Sequence, residues 1–237
     1  MGNYNRISLI GTHGAGKGFI LENGPLFGCF DISKNPVVRS SVSAFWEAIN
    51  EPVLRDIHIV DRFKYQFSLI GVGVNQYLEN KNGVFERSPL DIVAYCELLV
   101  EDAQKEFEIG GISRTDFDYT KQTNLIELSK QALFPFTEKE IDILVYVPYD
   151  ARIAEIRQEV TDYKELKNNS QHTDELIIMI LREYFEYNSS DNTSKRTTKF
   201  IHLNCQPQER LKVLKNSLEK LDDNCNQFVF NGLNPLI

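Results

Sequence analysis

The residues with the clearest chemical potential lie near the amino terminus, where Gly11, Gly16 and Lys17 match the pattern G-x-x-x-x-G-K. The full run is Gly11-Thr12-His13-Gly14-Ala15-Gly16-Lys17-Gly18. Closely spaced glycines let backbone N–H groups turn inward around an anion, and a lysine at this position reaches the β- and γ-phosphates of a nucleotide. The amino end of a following helix adds partial positive charge. The spacing therefore predicts a phosphate-binding loop.

One position of this loop departs from the motif. The residue after the lysine is usually Ser or Thr, whose hydroxyl ligates Mg²⁺, and here it is Gly18. Three interpretations stay open: water and an acidic residue hold the metal instead, the loop binds nucleotide with weakened catalysis, or the site is degenerate. Thr12 lies too early in the loop to replace the hydroxyl. The alternative to a phosphate-binding loop is an ordinary glycine-rich turn that connects a strand to a helix and binds no ligand.

A second polar motif occurs in the middle of the chain, and it comprises Glu86-Arg87-Ser88-Pro89-Leu90-Asp91. A carboxylate can hold Mg²⁺ through water or accept a proton from an attacking hydroxyl, and a guanidinium can bind a phosphate. Glu86 and Arg87 are therefore candidate catalytic residues, and Asp91 is an alternative to Glu86 as the carboxylate that accepts the proton or holds the metal. Ser88, Pro89 and Asp91 are also typical of a helix start without any catalytic role.

The elements that must position these residues alternate between strands and helices. Short apolar, β-branched segments predict strands over 7–10, 36–38, 84–85, 140–147 and 199–203. Helical periodicity predicts helices from about 19 and 41, and over 62–78, 90–107, 125–133, 174–187 and 208–221. Residues 110–122 and 188–194 are rich in turn formers, and 150–173 is polar and charged. This alternation predicts a parallel sheet covered by helices on both faces.

On these residues the chain resembles the P-loop nucleoside and nucleotide kinases, including AAA-type ATPase/kinase domains of phages and bacteria. It is more distantly similar to deoxynucleoside kinases and thymidylate kinase. The resemblance rests on GTHGAGKG after the first strand and on 86–91, which is similar to the D/E-R-S motif of those enzymes, and it covers residues 6 to 220. It implies a P-loop NTPase three-layer α/β sandwich with a mostly parallel five-stranded sheet in the order 2-3-1-4-5. That order places Glu86 and Arg87 beside the phosphate loop.

The resemblance also implies an arginine-bearing lid after the fourth strand. Arg152 and Arg157 stand at matching places within 150–173, and Arg157 is the preferred catalytic lid residue. Closure of such a lid would add charge stabilisation to the transferring phosphoryl group and exclude water. A stretch of alternating charges is, however, also typical of a solvated helix with pairs at i and i+4.

Three polar residues occupy regions that hold the phosphate acceptor in such kinases. Arg39 follows the second strand, and Arg62 and Gln66 lie at the start of the helix over 62–78. A glutamine amide can recognise a base or a ribose edge, and an arginine can bind a phosphate. We therefore predict that Arg39, Arg62 and Gln66 contact the acceptor substrate.

Composition narrows the class of protein further. The 237 residues carry a net charge of −8, which excludes a global positive field that would attract nucleic acid or an anionic membrane. The net charge does not exclude a local basic cleft. The four cysteines are far apart and predict free thiols in a reducing compartment. The apolar run at the amino terminus is too short for a signal peptide or a membrane span. We therefore expect a single domain over 1–237 in the cytoplasm.

Together these features predict an ATP-dependent phosphotransferase that acts on a nucleoside, a nucleotide or a related small acceptor and uses Mg²⁺. Lys17 and the loop amides would hold the donor phosphates, Glu86 or Asp91 would organise the metal or the acceptor hydroxyl, and Arg87 with a lid arginine would stabilise charge. Gly18 favours a different class, a nucleotide-binding regulatory or interaction protein with weak or no turnover. Phosphorylation of a nucleic-acid hydroxyl and assembly into a homodimer also stay open.

Overall fold

A five-stranded, all-parallel sheet forms the centre of the protein, with the strand order 2-3-1-4-5. The computed structural model describes residues 4–40, 57–113, 117–153, 166–190 and 198–223. The strands are β1 Arg6–Ile10, β2 Val37–Val38, β3 Gly83–Phe85, β4 Ile143–Tyr146 and β5 Lys199–His202. The predicted fold class and strand order are confirmed.

The central strands are β1 and β4, and their sequences explain their position. Every residue of β4 is buried, and only the first residue of β1 is partly exposed. A continuous apolar run of this kind is typical of a parallel strand that is covered on both faces. In the register of this pair, Ile7 lies opposite Ile143 and Ile10 opposite Tyr146. The carboxyl ends of both strands therefore reach the same edge of the sheet.

Helices cover the sheet on both faces and complete three layers. They are α1 Lys17–Asn23, α2 Ile59–Glu79, α3 Pro89–Glu108, α4 Tyr119–Glu140, α5 Leu166–Ser190 and α6 Arg210–Asp223, with a 3₁₀ turn Pro207–Glu209 before α6. Ile10 and Leu144 pack with α2, α3, α4 and α5 in one core cluster. Leu9 and Val145 pack with α1 and α6 in the other cluster. Alternate residues of each strand thus serve opposite layers.

Two helices are longer than their periodicity predicts. The helix predicted over 125–133 begins instead at Tyr119, where the Asp118 side chain accepts a hydrogen bond from the Lys121 N–H at 3.2 Å, and it continues to Glu140 with Pro135 inside it. The strand predicted from Glu140 accordingly begins only at Ile143. The helix predicted over 174–187 begins at Leu166 and ends at Ser190. It therefore includes part of 150–173 and the start of the turn-forming run 188–194.

Several predicted features fall outside the described residues. They are the helix start near 41, residues 154–165 of the lid segment, and Cys225. Cys29, Cys96 and Cys205 are free thiols, as the sequence predicts for them. Across the described ranges, none of the helices has the length and apolar character that a bilayer crossing requires.

Candidate active site

The glycine-rich loop connects β1 to α1 at the carboxyl edge of the sheet, next to the end of β4. A Cβ atom on Gly11 would collide with the carbonyl oxygen of Val147, which follows β4. Gly14 and Gly16 have φ angles of 80° and 96°, a conformation that L side chains rarely adopt. Close approach and backbone conformation therefore explain three of the glycines in the motif.

Lys17 is buried within this loop, with 5% of its surface exposed. Its ammonium donates hydrogen bonds to the carbonyl oxygens of Gly11 at 2.5 Å and Thr12 at 2.8 Å. Burial, and to a smaller extent the nearby Arg87 guanidinium, lower the pKa of Lys17 to about 7, although the Asp91 carboxylate opposes both effects. An anionic phosphate beside Lys17 would favour the charged form and raise this pKa. The loop thus holds a cation whose charge an anion would reinforce.

Two helices hold the His13 peptide in the middle of the loop. The Tyr95 hydroxyl on α3 accepts a hydrogen bond from the His13 N–H at 2.7 Å. The Ser170 hydroxyl on α5 donates to the His13 carbonyl oxygen at 3.4 Å. No local sequence pattern marks Tyr95 or Ser170 as site residues, because each meets the loop only through the tertiary fold. The two contacts fix the peptide groups on either side of the His13 Cα without using the His13 side chain.

Arg210, the first residue of α6, supports the other end of the loop. Only 3% of its surface is exposed. Its guanidinium donates to the carbonyl oxygens of Ala15 and, at 3.0 Å, of Pro148 after β4. Burial lowers the pKa of Arg210. No sequence signal distinguished Arg210 from a solvated helix residue, since its partners are backbone atoms of distant segments.

The second motif lies beside the loop because β3 pairs with β1. Ser8 of β1 is opposite Phe85, so Glu86 and Arg87 follow β3 at the same edge of the sheet. Asp91 is fully buried on α3, and neither of its carboxylate oxygens has a hydrogen-bond partner among the described residues. Burial raises the pKa of Asp91 to about 6, although Arg87 and Lys17 lower it. Asp91 is therefore an acid held close to two cations.

Arg87 and Glu86 are each held by specific contacts. An Nη atom of Arg87 lies 3.7 Å from Asp91 Oδ2, and the guanidinium carbon lies 5.3 Å from the centre of the Tyr95 ring. The Glu86 carboxylate accepts a hydrogen bond from the Ser40 N–H at 3.0 Å, just beyond β2. The structure thus brings Lys17, Glu86, Arg87 and Asp91 to one edge of the sheet, as the two motifs predict.

A second buried acid at this edge was missed by the sequence analysis. Asp174 on α5 accepts hydrogen bonds from the Tyr146 hydroxyl at 2.7 Å and from the Tyr149 N–H at 3.1 Å. Burial raises the pKa of Asp174, while Lys17 and Arg210 lower it. Its charge interaction with Lys17 places it near the phosphate loop. The polar surroundings of Asp174 in the sequence gave no sign that this carboxylate is buried.

The side chains at this edge fit a magnesium ion that is held mainly by a nucleotide. In the part of the chain that the structure describes, no three His, Cys, Asp or Glu side chains converge to hold a metal by themselves. Mg²⁺ at nucleotide sites usually takes only one or two carboxylates, together with phosphates and waters. Asp91 meets that need with two buried oxygens without hydrogen-bond partners. Gly18 contributes no oxygen from a side chain.

The three residues predicted to bind the acceptor lie in different environments. Gln66 is buried on α2, and its amide donates to the Ile92 carbonyl oxygen of α3 at 3.4 Å. Arg62, one turn earlier, donates from Nε to the Ile57 carbonyl oxygen at 2.7 Å. Arg39 is half-exposed and pairs with Glu22 of α1 at 3.0 Å. Arg62 and Gln66 thus share α2, whereas Arg39 lies against α1.

The arginines of the predicted lid are only partly described. Arg157 lies outside the described residues. Arg152 follows β4 and donates two hydrogen bonds to Asp150, at 2.9 Å from Nε and at 2.6 Å from Nη2. Arg152 is exposed, and Arg210 lies close enough to influence Asp150 as well. The segment after β4 therefore starts with charged residues next to the loop that Arg210 supports.

Comparison with known proteins identifies the fold. No protein-family model and no curated protein matches the sequence. The solved structure of deoxyadenosine kinase from M. mycoides with bound dATP is 16% identical, and the match covers 91% of this chain and all of that chain with a TM-score of 0.52. The same enzyme with bound dCTP gives 17% identity over 91% and 99% of the two chains, with a TM-score of 0.48. The chain therefore has the α/β fold of the P-loop nucleoside kinases.

Proposed function

We propose that this protein transfers the terminal phosphoryl group of ATP to a nucleoside, a nucleotide or a related small acceptor. The observation that carries the proposal is the convergence of Lys17, Glu86, Arg87 and Asp91 beside a glycine-rich loop at one edge of the sheet. Parallel α/β folds bind ligands at the carboxyl ends of their strands. A buried lysine, a guanidinium and two carboxylates are the groups that phosphoryl transfer requires there.

The donor would bind in the loop through Lys17 and the backbone amides of the loop, including those of Gly14, Ala15 and Gly16. In the free protein the Lys17 ammonium bonds to two loop carbonyl oxygens. A bound triphosphate would replace those oxygens as partners, and its negative charge would keep Lys17 protonated at neutral pH. Because the site excludes most of the solvent around Lys17, this charge would act on the phosphates with little screening.

The acceptor would approach from the side of β3 and α2. Its hydroxyl oxygen would attack the γ-phosphorus of ATP, forming a new P–O bond while the bond to the β-phosphate oxygen breaks and ADP leaves. Glu86 or Asp91 would accept the proton of that hydroxyl, and Arg87 would stabilise the charge on the transferring group. The other of these two carboxylates would hold a Mg²⁺ bound with the nucleotide, which would neutralise more of the phosphate charge.

Contacts with the acceptor would come from Arg62 and Gln66 on α2. Arg157, from the predicted lid 150–173, would stabilise charge on the transferring phosphoryl group. The Gln66 amide already faces α3, on which Asp91 lies, because it donates to the Ile92 carbonyl oxygen. The deoxyadenosine kinase with the similar fold was solved with dATP bound. Deoxynucleosides are therefore the first acceptors to test.

The test is a phosphotransfer assay with labelled ATP against a panel of nucleosides and nucleotides. We expect the parent to transfer phosphate to at least one acceptor. Lys17→Ala should lower kcat/KM about 100-fold or more, since it removes a preorganised charge from the transferring group. The control is Lys34→Ala, which removes an exposed lysine of the segment before β2. A parent that shows no saturable binding of ATP at millimolar concentration would contradict the proposal.

Gly18 favours a second candidate, a nucleotide-binding protein with a regulatory or interaction role. This candidate predicts that ATP binds in a manner that depends on Lys17, and that no acceptor is phosphorylated. Gly18→Ser would then create activity that the parent lacks, because the new hydroxyl could ligate Mg²⁺. A parent that already phosphorylates an acceptor would exclude this candidate.

A further inference from the structure

At Gly18 the loop lacks the side-chain hydroxyl that the phosphate-binding motif normally carries. A Cβ atom built on Gly18 would lie 3.7 Å from Nη1 of Arg39. The other Nη atom of Arg39 lies 3.0 Å from the Glu22 carboxylate, one turn further along α1. Residues four apart share one face of a helix. The Arg39 guanidinium therefore lies along the face of α1 that begins at Gly18.

The backbone around Arg39 is anchored on both sides. The Gln76 amide of α2 donates to the Arg39 carbonyl oxygen at 2.8 Å. The next N–H along the chain, that of Ser40, donates to the Glu86 carboxylate at 3.0 Å. The register of β2 with β3 pairs Val38 with Phe85, which places Arg39 next to Glu86. The backbone at Arg39 is thus held beside Glu86, and its guanidinium lies beside the donor loop.

We propose that Arg39 binds the triphosphate of the donor at the place of the missing hydroxyl. This inference rests on the proposed function, and it assigns Arg39 to the donor instead of the acceptor. A guanidinium stays charged at all physiological pH values and presents several N–H donors to phosphate oxygens. The ligand class is a nucleoside triphosphate, whose β- and γ-phosphates lie near this position of the motif.

The present partner of Arg39 does not prevent this role. Its ion pair with Glu22 is exposed, with half of the Arg39 side chain and 64% of the Glu22 side chain accessible. Exposed ion pairs contribute little to stability, so the guanidinium can exchange Glu22 for a phosphate. A charge-assisted contact to phosphate is stronger than that pair, because the phosphate carries more charge and can accept two parallel N–H bonds from the planar guanidinium.

The experiment measures the dissociation constants of ATP and of the acceptor separately by calorimetry, with and without Mg²⁺. Arg39→Ala should weaken ATP binding about tenfold, the equivalent of one charge-assisted hydrogen bond, and leave acceptor binding unchanged. Arg39→Lys should retain part of the affinity, since it keeps the charge and loses the planar donors. The matched control is Lys121→Ala on α4, which also removes an exposed cation paired with a carboxylate.

Glu22→Gln keeps the inference testable if Arg39→Ala folds poorly, and a double variant adds a second test if it folds well. Glu22→Gln removes the competing carboxylate and should strengthen ATP binding about two- to threefold, whereas a structural role of the ion pair predicts no gain. In a Gly18→Ser background, Arg39→Ala should weaken ATP binding less than in the parent, because the hydroxyl and Mg²⁺ then share the charge.

The outcomes separate the inference from the proposed function. If ATP binding requires Lys17 but is the same in Arg39→Ala and the parent, the inference is wrong and the proposed function stands. If Arg39→Ala weakens acceptor binding and leaves ATP binding unchanged, Arg39 belongs to the acceptor site and the inference is again wrong. If the parent itself does not bind ATP at millimolar concentration, the proposed function fails and takes the inference with it.

Discussion

A buried lysine joins α4 to the two helices, α3 and α5, that carry residues of the candidate active site. Lys130 of α4, with 5% of its side chain exposed, lies 2.5 Å from Glu97 of α3, 2.9 Å from Glu183 of α5 and 3.0 Å from Glu127 of its own helix. Burial alone would lower the pKa of Lys130, but the carboxylates of Glu97, Glu183 and Glu127 more than compensate and raise it. Replacing Lys130 by Met leaves the surrounding carboxylates without their cation.

The expected change in the free energy of unfolding depends on which of these carboxylates is buried. Glu97 has 17% of its side chain exposed, and the other two are much more accessible and can be solvated. Breaking a buried ion pair by removing one partner typically destabilises a protein by about 3–5 kcal/mol. Because Glu97 keeps some access to water, we expect Lys130→Met to lower the free energy of unfolding by about 2–4 kcal/mol at pH 7.5.

The assay is urea denaturation of the parent and Lys130→Met at two pH values, with Lys121→Met as the exposed control. Burial already raises the pKa of Glu97, and without Lys130 that pKa rises further. The penalty of the unpaired carboxylate is present above the folded pKa and is relieved as the pH falls through it. The loss of unfolding free energy in Lys130→Met should therefore be smaller at pH 5 than at pH 7.5. Adding Glu97→Gln to Lys130→Met should restore part of the lost stability.

Two results would refute this reasoning. A loss for Lys130→Met no larger than that for Lys121→Met would show that the lysine does not compensate a buried charge. Exposed ion pairs of the Lys121 kind contribute only about 0–1 kcal/mol. A loss that is the same at both pH values and unaffected by Glu97→Gln would show that packing, and not charge, is responsible.

Three further predictions concern the loop and the helices around it. Gly11→Ala should destabilise the protein because its Cβ meets a backbone oxygen, whereas Gly71→Ala, in open space on α2, should stabilise it by about 0.5–1 kcal/mol, and thermal melts of the two variants should shift in opposite directions. Tyr95→Phe removes the hydroxyl that accepts from the His13 N–H and keeps the ring, so the KM for ATP should rise about three- to tenfold in steady-state assays while the melting temperature falls only slightly; an unchanged KM would contradict this role. Hydrogen bonds to two glutamates raise the pKa of His172 on α5, so its contribution to stability is present at pH 5.5 and lost as the pH rises through the folded pKa; His172→Gln should cost more stability at pH 5.5 than at pH 8.5 in matched denaturation curves, and an equal cost at both values would exclude the charge effect.

The sequence predicts the site best where chemistry and local geometry coincide. The glycines of the loop are recognisable because backbone conformation and close approach to β4 require them. Glu86 and Arg87 are recognisable because they directly follow a short apolar strand. The pairing of β3 with β1 then places them beside the loop. In both cases a few adjacent residues carry all of the information.

Predictions based on periodicity alone were less accurate at the helix boundaries. The periodicity predicts a helix only over 125–133, although Pro135, a residue that disfavours helix interiors, lies inside the observed helix. The structure continues that helix, and the flanking residues Leu133, Phe134 and Thr137 are buried. Tertiary packing of both sides of the proline therefore outweighs its local preference.

Buried polar residues were the hardest to predict. Ser170 and Asp174 lie near the amino end of α5, at the junction of the polar stretch 150–173 and the helix predicted from Asp174, and both are buried. Both are buried because their partners, the His13 carbonyl and the Tyr146 hydroxyl, come from other parts of the fold. Arg210 is missed for the same reason, since its guanidinium binds carbonyl oxygens of the loop and of Pro148. Pairings of this kind depend on tertiary structure and leave no local pattern.

The contact of Lys17 with its own loop has a consequence for ligand selectivity. Two carbonyl oxygens already solvate the ammonium, so an incoming anion gains only the difference between its own contacts and theirs. Under the proposed function, chloride or a single sulfate would gain few contacts beyond those it displaces. A polyphosphate chain that reaches Lys17 and the neighbouring amides together would gain more. The unliganded loop would then favour a polyphosphate over simple anions before any base or sugar is recognised.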